Sequence, residues 1–260
     1  MPEESDNRFA STAVLLGASN LSLAWPRVVP QLERRLSAPR KVLTAHGMGR
    51  SYSAKRCRFV FRQLPGILES GIWNALTETS TAVPTFALLT DFGNDLVFGS
   101  PPDDVAAAAR ECIDRLRASN AATHIVMTRP PLSTVQALSG FRFSFFRNVL
   151  FPKCRMSLAE IRTAVEELDR LIVELATDTE VSLIEPAAHW YGLDPIHVLR
   201  QYQTDAFSLM MDAWNLPSPV RESQPVRWVR PAAETRWRFG REHRTPQPVQ
   251  STPDTAIYAY

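Results

Sequence analysis

Five short apolar runs recur along the chain, and none of them alternates polar and apolar residues. They extend over Ala13–Leu16, Lys41–Ala45, Thr85–Thr90, His124–Thr128 and Val181–Ile184. Continuous apolar runs are typical of strands that are covered on both faces, as in a parallel sheet. The pattern therefore predicts five buried strands.

The segments between these runs carry apolar residues at helical spacing. The predicted helices are Leu23–Leu36, Pro65–Leu76, Pro102–Leu116, Ser157–Ala176 and Val198–Trp214. Ser157 and Glu160 form a capping box at the start of the strongest one. Pro26 fits a first turn, whereas Pro30 would kink or delay its helix. Alternating strands and helices predict a doubly wound α/β sheet with its site at the carboxyl ends of the strands.

Two segments depart from this rhythm. Residues 130–156 form a long connection rich in Phe, which could line a pocket, act as a lid or touch a membrane; we favour packing against the body or a second subunit. Residues 217–260 are rich in Pro and Arg and are expected to wrap the domain or join an interface, so this part is the candidate surface for a homo-oligomer. We expect one domain over 1–260, with a core at about 12–214 and an extension at 215–260.

Composition narrows the class of protein. With 260 residues, 45% hydrophobic and 22% charged, the chain has the makeup of a soluble globular protein, and a net charge of +2 does not favour nucleic acid as a partner. The three cysteines form no C-x-x-C pair, so neither a metal site nor a disulfide is expected, and no cofactor is implied. Without a transmembrane run or a secretory signal in this sequence, we expect a cytoplasmic protein.

The candidate chemistry lies where apolar runs end. Ser19 follows the first run, Asn94 follows the third, and Asp194 precedes His197 by three residues near the end of the core. A serine hydroxyl becomes nucleophilic when a histidine accepts its proton, and a carboxylate orients that histidine. An amide can stabilise the oxyanion that forms on an attacked carbonyl. These residue types together are typical of acyl transfer.

The order of these motifs resembles the SGNH, or GDSL-type, hydrolase family. The resemblance rests on Gly-x-Ser at 17–19, a glycine after the second strand, Gly-Asn-Asp at 93–95 and Asp-x-x-His at 194–197, and it covers about 13–212. It implies a three-layer α/β/α, flavodoxin-like fold with a five-stranded parallel sheet in the order 2-1-3-4-5. In that order the second and third strands flank the first, which would bring the motifs together.

The resemblance also implies the roles of the residues. Ser19 would be the nucleophile, His197 the general base and Asp194 its orienting carboxylate. The oxyanion would be bound by the Ser19 N–H, the Asn94 carboxamide and a glycine N–H, for which Gly49 is favoured over Gly47. His46, Gly47 and Arg50 are candidates for substrate binding.

Two positions depart from the family pattern, and structural alternatives remain. Ala18 stands where the family has Asp, and Phe92 where it has Gly. Ser19 could cap a helix, Asn94 could be a turn residue and Asp194 could start a helix. His46 could be a hydrogen-bonded structural histidine, and Arg50 a solvated or ion-paired arginine.

The function expected from these observations is a serine ester hydrolase that acts through an acyl-enzyme on a small-molecule, glycan or lipid ester. One alternative is an acyltransferase with the same machinery. Another is a non-catalytic binding protein on a degenerate hydrolase fold, which Ala18 and Phe92 motivate.

Overall fold

The structure is a computed structural model that describes residues 8–152, 154–216 and 228–260. The acidic N-terminal residues and the first part of the Pro- and Arg-rich extension, 217–227, lie outside the described residues.

Strands and helices alternate along the chain. The strands are β1 (Ser11–Leu16), β2 (Arg40–Ala45), β3 (Arg56–Phe59), β4 (Arg62–Pro65), β5 (Thr85–Leu89), β6 (His124–Thr128), β7 (Ser182–Ile184), β8 (Thr235–Arg238), β9 (Arg241–Arg244), β10 (Gln250–Ser251) and β11 (Thr255–Ala259). The helices are α1 (Ser19–Arg35), α2 (Ile72–Thr77), α3 (Asn94–Val97), α4 (Pro102–Ser119), α5 (Leu132–Gln136), α6 (Gly140–Leu150), α7 (Leu158–Asp178) and α8 (Gln203–Asp212), with a 3-10 turn at Ala188–Trp190.

The main sheet contains the five predicted strands in the expected order. Its sequence of neighbours is β10-β11-β2-β1-β5-β6-β7, and every pairing from β11 to β7 is parallel. The expectation of five strands is wrong in number, because the C-terminal extension adds two. β11 pairs in parallel with the outer edge of β2, and β10 pairs antiparallel with β11.

Both faces of the main sheet are covered, as the continuous apolar runs predict. Along β1, Val14 and Leu16 pack into one core with α2, α4 and α7. Ala13 and Leu15 point the other way, into a core with α1 and α8. This alternation within a fully buried strand produces the three α/β/α layers.

Helix α1 begins at Ser19, four residues before the predicted start at Leu23. The reason is a cap that comes from a distant residue, because the Asp91 carboxylate accepts hydrogen bonds from the N–H groups at the start of this helix. Pro26 therefore lies inside the helix and not in its first turn, and Pro30 lies inside it as well.

The other helix predictions differ in outcome. The predictions for α4 and α7 are confirmed, including the Ser157–Glu160 capping box. The prediction of a helix over Pro65–Leu76 is wrong at its start, where β4 ends and only α2 is helical. The last helix is predicted to begin at Val198, but α8 begins only at Gln203. The reason is that the Val198 N–H donates to the Asn20 side chain instead of forming a helical hydrogen bond.

A second, antiparallel sheet covers the loop that follows β2. It contains β3, β4, β8 and β9 in that order, so the extension supplies half of its strands. Leu64 of β4 lies directly over Gly47, where an added Cβ would be 2.4 Å from the Leu64 Cδ1 atom. The extension therefore wraps the body at two places.

The Phe-rich segment, which was predicted as a long connection, contains the helices α5 and α6. None of the residues of α6 is buried, although Phe143 packs against the core beneath it. Ser139 caps this helix by accepting from the Arg142 N–H. Helix α6 therefore lies over the body at the end of the sheet where the candidate site is found.

Candidate functional site

Ser19 lies at the junction of β1 and α1 and is 4% exposed. The Asp91 carboxylate accepts from the N–H groups of Ala18 at 2.7 Å, Asn20 at 3.1 Å and Leu21 at 3.3 Å. The Ser19 N–H lies within this run, and no described residue accepts from it. The helix start thus retains one donor at the serine, which an oxyanion could use.

Asp91 follows β5 and was not identified in the sequence analysis. Its backbone adopts a φ of 72°, a left-handed conformation that Asp tolerates better than most residues. Its carboxylate contacts the backbone on both sides of the serine. The family that the sequence resembles has an aspartate before the serine, where this chain has Ala18. Asp91 brings a carboxylate to the same turn from the neighbouring strand.

Asp194 and His197 form a hydrogen-bonded pair. The His197 Nδ1 lies 2.6 Å from Asp194 Oδ2, and the N–H groups of Ile196 and His197 reach Asp194 Oδ1 at 3.0 and 3.3 Å. Burial opposes ionisation of Asp194, but the bonds from His197 and from these N–H groups outweigh it and lower the pKa of the carboxyl. An ionised Asp194 accepts from Nδ1–H, which leaves Nε2 as the acceptor of the neutral ring.

Asn20 joins the serine turn to the histidine loop. Its Nδ2 donates to Asp91 Oδ1 at 2.8 Å and to the Ile196 carbonyl at 2.9 Å. Its Oδ1 accepts from the Val198 N–H at 2.8 Å. The residue next to Ser19 therefore bonds to both neighbours of His197, which brings together two segments about 180 positions apart in the sequence. The sequence analysis gave Asn20 no role.

Asn94 begins the short helix α3 at the end of β5 and is largely buried. Its side chain has no hydrogen-bond partner among the described residues, and it lines the adjoining cavity. Phe92, two residues before Asn94, stands where the family that the sequence resembles has Gly. Its ring is buried against that of Tyr52, with centroids 4.5 Å apart. The Asn94 carboxamide is therefore available to a ligand.

Gly47 and Gly49 lie in the loop after β2, under the second sheet. Gly49 has a φ of 70°, which favours glycine, and Gly47 is covered by Leu64. No described residue accepts a hydrogen bond from either N–H. Both glycines thus remain candidates for the oxyanion.

Asp95 ties this loop to the end of β5. Its buried carboxylate accepts from the Ser51 hydroxyl at 2.5 Å, from the Tyr52 N–H at 3.0 Å and from both the N–H and the hydroxyl of Ser53 at 3.0 and 2.9 Å. Burial raises the pKa of Asp95 in spite of these bonds. Together, Asp95 and Asp91 fix the loops after β1, β2 and β5 to one another. Neither role was identified from the sequence.

His46 and Arg50 lie in the core behind this loop. His46 Nδ1 is 2.8 Å from the Ser22 Oγ, its ring packs on Trp25, and burial together with the charges of Arg50 and other arginines lowers its pKa to about 3. The fully buried Arg50 donates to the carbonyls of His46 and Tyr260. For His46 this placement favours the hydrogen-bonded structural alternative. Arg50 is neither solvated nor ion-paired among the described residues, because it is buried and donates to backbone carbonyls instead.

An apolar cavity opens beside the candidate site. Asn20, Asn94 and Ile196 border it, and its wall is mostly apolar: Val135, Leu138, Phe143, Phe146, Leu150, Phe151, Ile161 and Val165 are among the lining residues. Ser19 and His197 themselves are not part of the lining. Arg142 of α6 donates to the carbonyls of Gly192 and Leu193, so the helix over the cavity is tied to the loop that carries Asp194.

The described residues provide neither a metal site nor a membrane-spanning helix. No group of three or more His, Cys, Asp or Glu side chains there could hold a metal ion. Cys57 and Cys112 are buried free thiols, whereas Cys154 is partly exposed. No helix in these ranges combines the length and apolar character needed to cross a bilayer.

Comparison with known proteins identifies the fold. No family model and no curated protein matches the sequence. Among solved structures, Est24, a carbohydrate acetylesterase from Sinorhizobium meliloti, has a TM-score of 0.52 and 14% identity, covering 78% of this chain and 97% of that one. The aryl esterase of M. smegmatis has a TM-score of 0.52 and 16% identity, with the same shares covered. A candidate GDSL-like lipase from Parabacteroides merdae has a TM-score of 0.54 and 10% identity, covering 80% and 97%.

Proposed function

We propose that the chain is an SGNH-type serine hydrolase that cleaves a carboxylic ester through an acyl-enzyme. The observation that carries the proposal is the Asn20 carboxamide, which links the start of α1 at Ser19 to the residues on both sides of His197. Asp194 in turn holds the ring of His197 by its Nδ1. The fold that the chain shares with several esterases supports the same reaction class.

In the first half of the reaction, Ser19 Oγ attacks the carbonyl carbon of the ester while His197 Nε2 accepts its proton. The tetrahedral intermediate then collapses, the bond to the alcohol oxygen breaks, and the imidazolium returns the proton to that oxygen. Asp194 stabilises the imidazolium and keeps the ring in the required tautomer. An alcohol leaves, and an acyl group remains on Ser19.

The oxyanion is stabilised by donors that the fold leaves free. The Ser19 N–H and the Asn94 side chain have no acceptor among the described residues, and the same holds for the N–H groups of Gly47 and Gly49. Each such donor contributes about 3 kcal/mol to the transition state in comparable sites. In the second half of the reaction, water attacks the acyl-enzyme with His197 as base, and the carboxylic acid is released.

The acyl group of the ester lies in the apolar cavity. Its wall is mostly aliphatic and aromatic, and the charged residues among its lining are Asp91, Arg129 and Arg147. Burying apolar surface stabilises a bound chain by about 25 cal/mol per Å². The cavity thus favours an apolar acyl chain over a strongly polar one.

The departures from the family pattern do not favour a degenerate, non-catalytic protein. Asp91 brings a carboxylate to the turn where Ala18 lacks one. Phe92 is accommodated by packing on Tyr52, and Asn94 still borders the cavity. Ala18 and Phe92, which motivated the binding-protein alternative, are therefore compatible with catalysis.

Hydrolysis of p-nitrophenyl acetate and p-nitrophenyl octanoate tests the proposal. The purified protein is expected to release p-nitrophenol, and Ser19→Ala should lower kcat by about 10³-fold or more. Ser133→Ala, at an exposed position on α5, is the matched control and should keep wild-type activity. Activity retained by Ser19→Ala, or absent from the wild type with both esters, would contradict the proposal.

A further inference from the structure

The second sheet projects two hairpin tips that lie side by side. One tip consists of Phe59, the last residue of β3, and the turn residues Val60 and Phe61 before β4; the other is Phe239-Gly240 between β8 and β9. The Phe61 and Phe239 rings stack with centroids 5.1 Å apart, and the Phe239 N–H donates to the Phe61 carbonyl. The two tips therefore form one continuous apolar surface, called here the tip patch, which consists of Phe59, Val60, Phe61 and Phe239.

The tip patch is exposed to a degree that is unusual for such large apolar side chains. Phe239 is 80% exposed, Val60 65% and Phe61 55%. Val60 and Phe239 also adopt positive φ angles of 55° and 49°, where glycine or asparagine would be relaxed. The contact between Phe61 and Phe239 leaves most of this apolar surface open, and large apolar residues held exposed at strained turns indicate an external partner.

Arginines bracket both tips in the same way. The chain reads Arg58-Phe59-Val60-Phe61-Arg62 in the first hairpin and Arg238-Phe239-Gly240-Arg241 in the second. Arg62 lies opposite Arg238 in the sheet, and Arg238 lies opposite Arg241. Like charges at directly opposed positions destabilise a sheet.

No acid in the described residues relieves this repulsion. None of the four bracketing arginines forms an ion pair there, and in β3, β4, β8 and β9 the only pair is Arg244–Glu242. The pKa of Arg62 is lowered first by its burial beside Gly47 and then by the charges of Arg238 and Arg236. An anionic partner at these tips would remove the cost.

The order of apolar residues and arginines along each hairpin indicates which kind of anionic partner fits. The apolar residues occupy the turns, and in both hairpins an arginine lies one residue behind them on each strand. An anionic bilayer has the matching order, with hydrocarbon below a layer of phosphates. We propose that the tip patch inserts into an anionic lipid surface, with Arg58, Arg238 and Arg241 against the lipid phosphates.

Co-sedimentation with lipid vesicles tests this proposal without any use of catalysis. The full chain is mixed with phosphatidylcholine vesicles that contain about a third phosphatidylglycerol, or none, at roughly 0.1 M salt. We expect binding to the anionic vesicles that weakens at high salt, and at least about tenfold weaker binding to the neutral ones.

Matched substitutions locate the contact. Phe239→Ser should weaken binding by about fivefold or more, and Arg238→Gln with Arg241→Gln by about tenfold or more. Phe141→Ser on α6 is the control, because Phe141 is 83% exposed and Phe239 80%, yet Phe141 is outside the tip patch. Circular dichroism and thermal unfolding establish that each variant is folded.

Several results would overturn the proposal. They are a wild type that fails to bind anionic vesicles, one that binds neutral vesicles equally well, and a Phe141→Ser variant that loses as much binding as Phe239→Ser. Sedimentation velocity without lipid adds a further test. A wild-type dimer that Phe239→Ser dissociates would assign the tip patch to a second copy of the chain and not to lipid.

Discussion

The Val198 backbone N–H donates to the Asn20 Oδ1 at 2.8 Å. This bond joins the residue after His197 to the residue after Ser19, so one carboxamide links the proposed base to the proposed nucleophile. The same side chain donates to the Ile196 carbonyl at 2.9 Å. Asn20 is therefore a positioning residue, because it acts through its neighbours and not on the ester itself.

Asn20→Ala should lower kcat for p-nitrophenyl acetate by about 10- to 100-fold with little change in KM, since small displacements of a catalytic group cost up to about 10²-fold. Far-ultraviolet circular dichroism should remain that of the wild type. Asn74→Ala, at an exposed position on α2, is the control and should keep full activity. Unchanged turnover in Asn20→Ala would show that the histidine loop holds its position without this side chain.

Removal of the Asp91 carboxylate should destabilise the fold. Asp91→Ala leaves three N–H groups at the start of α1 without their acceptor, and the free energy of unfolding should fall by about 1–2 kcal/mol. Urea unfolding measures this loss, with the exposed Glu166→Ala on α7 as control. A loss no greater than that of Glu166→Ala would mean that water replaces the carboxylate at no cost.

Acid sensitivity of the fold should depend on His46, whose pKa is lowered from 6.5 to about 3 by burial and by nearby arginines. As the pH falls below 6.5, the unfolded chain takes up a proton at this position, whereas the folded chain does so only near pH 3. Stability is therefore present above pH 6.5 and is lost progressively toward pH 3. This group should contribute about 2 kcal/mol to the loss between pH 7 and pH 5.

Urea unfolding of His46→Gln at pH 7 and pH 5 measures that contribution. The variant is less stable at neutral pH, because it lacks the packing on Trp25, but its stability should change less between the two pH values than that of the wild type. His243→Gln, at an exposed position on β9, should keep the wild-type difference. An equal loss of stability between pH 7 and pH 5 in all three proteins would show that groups other than His46 cause the acid sensitivity.

The wall of the cavity should determine acyl-chain preference. Phe143→Ala removes an aromatic side chain from the lining and should lower kcat/KM for p-nitrophenyl octanoate by about tenfold, with little effect on the acetate ester. Phe141→Ala on the same helix faces solvent and should change neither value. Parallel losses on both esters, or none on octanoate, would place the acyl group elsewhere.

Local patterns were sufficient to predict the central fold. The five continuous apolar runs correspond to β1, β2, β5, β6 and β7. Strands β1 and β5 are buried at every position, which is typical of strands covered on both faces, whereas the short edge strand β7 is partly exposed. Capping chemistry located the start of α7 correctly, since Ser157 and Glu160 act within a single turn. In both cases the determining contacts are close in the sequence or follow directly from burial.

Contacts between distant segments were beyond such patterns. The start of α1 depends on Asp91, more than 70 positions away, and the start of the last helix on Asn20. The apolar segment Thr255–Ala259 could have indicated β11, but its partner β2 lies more than 200 positions earlier. For the site, the roles of Ser19, Asp194 and His197 stay predictions. The contacts of Asn20, Asp91 and Asp95 appear only when the loops meet.

The most direct test of the account is covalent labelling with a fluorophosphonate, followed by peptide mass spectrometry of the intact, folded chain. The account predicts one adduct per chain, located on Ser19, that is lost in Ser19→Ala and forms much more slowly in His197→Ala. Labelling at another residue, or labelling of Ser19→Ala at the wild-type rate, would contradict the claim that Ser19 is the nucleophile.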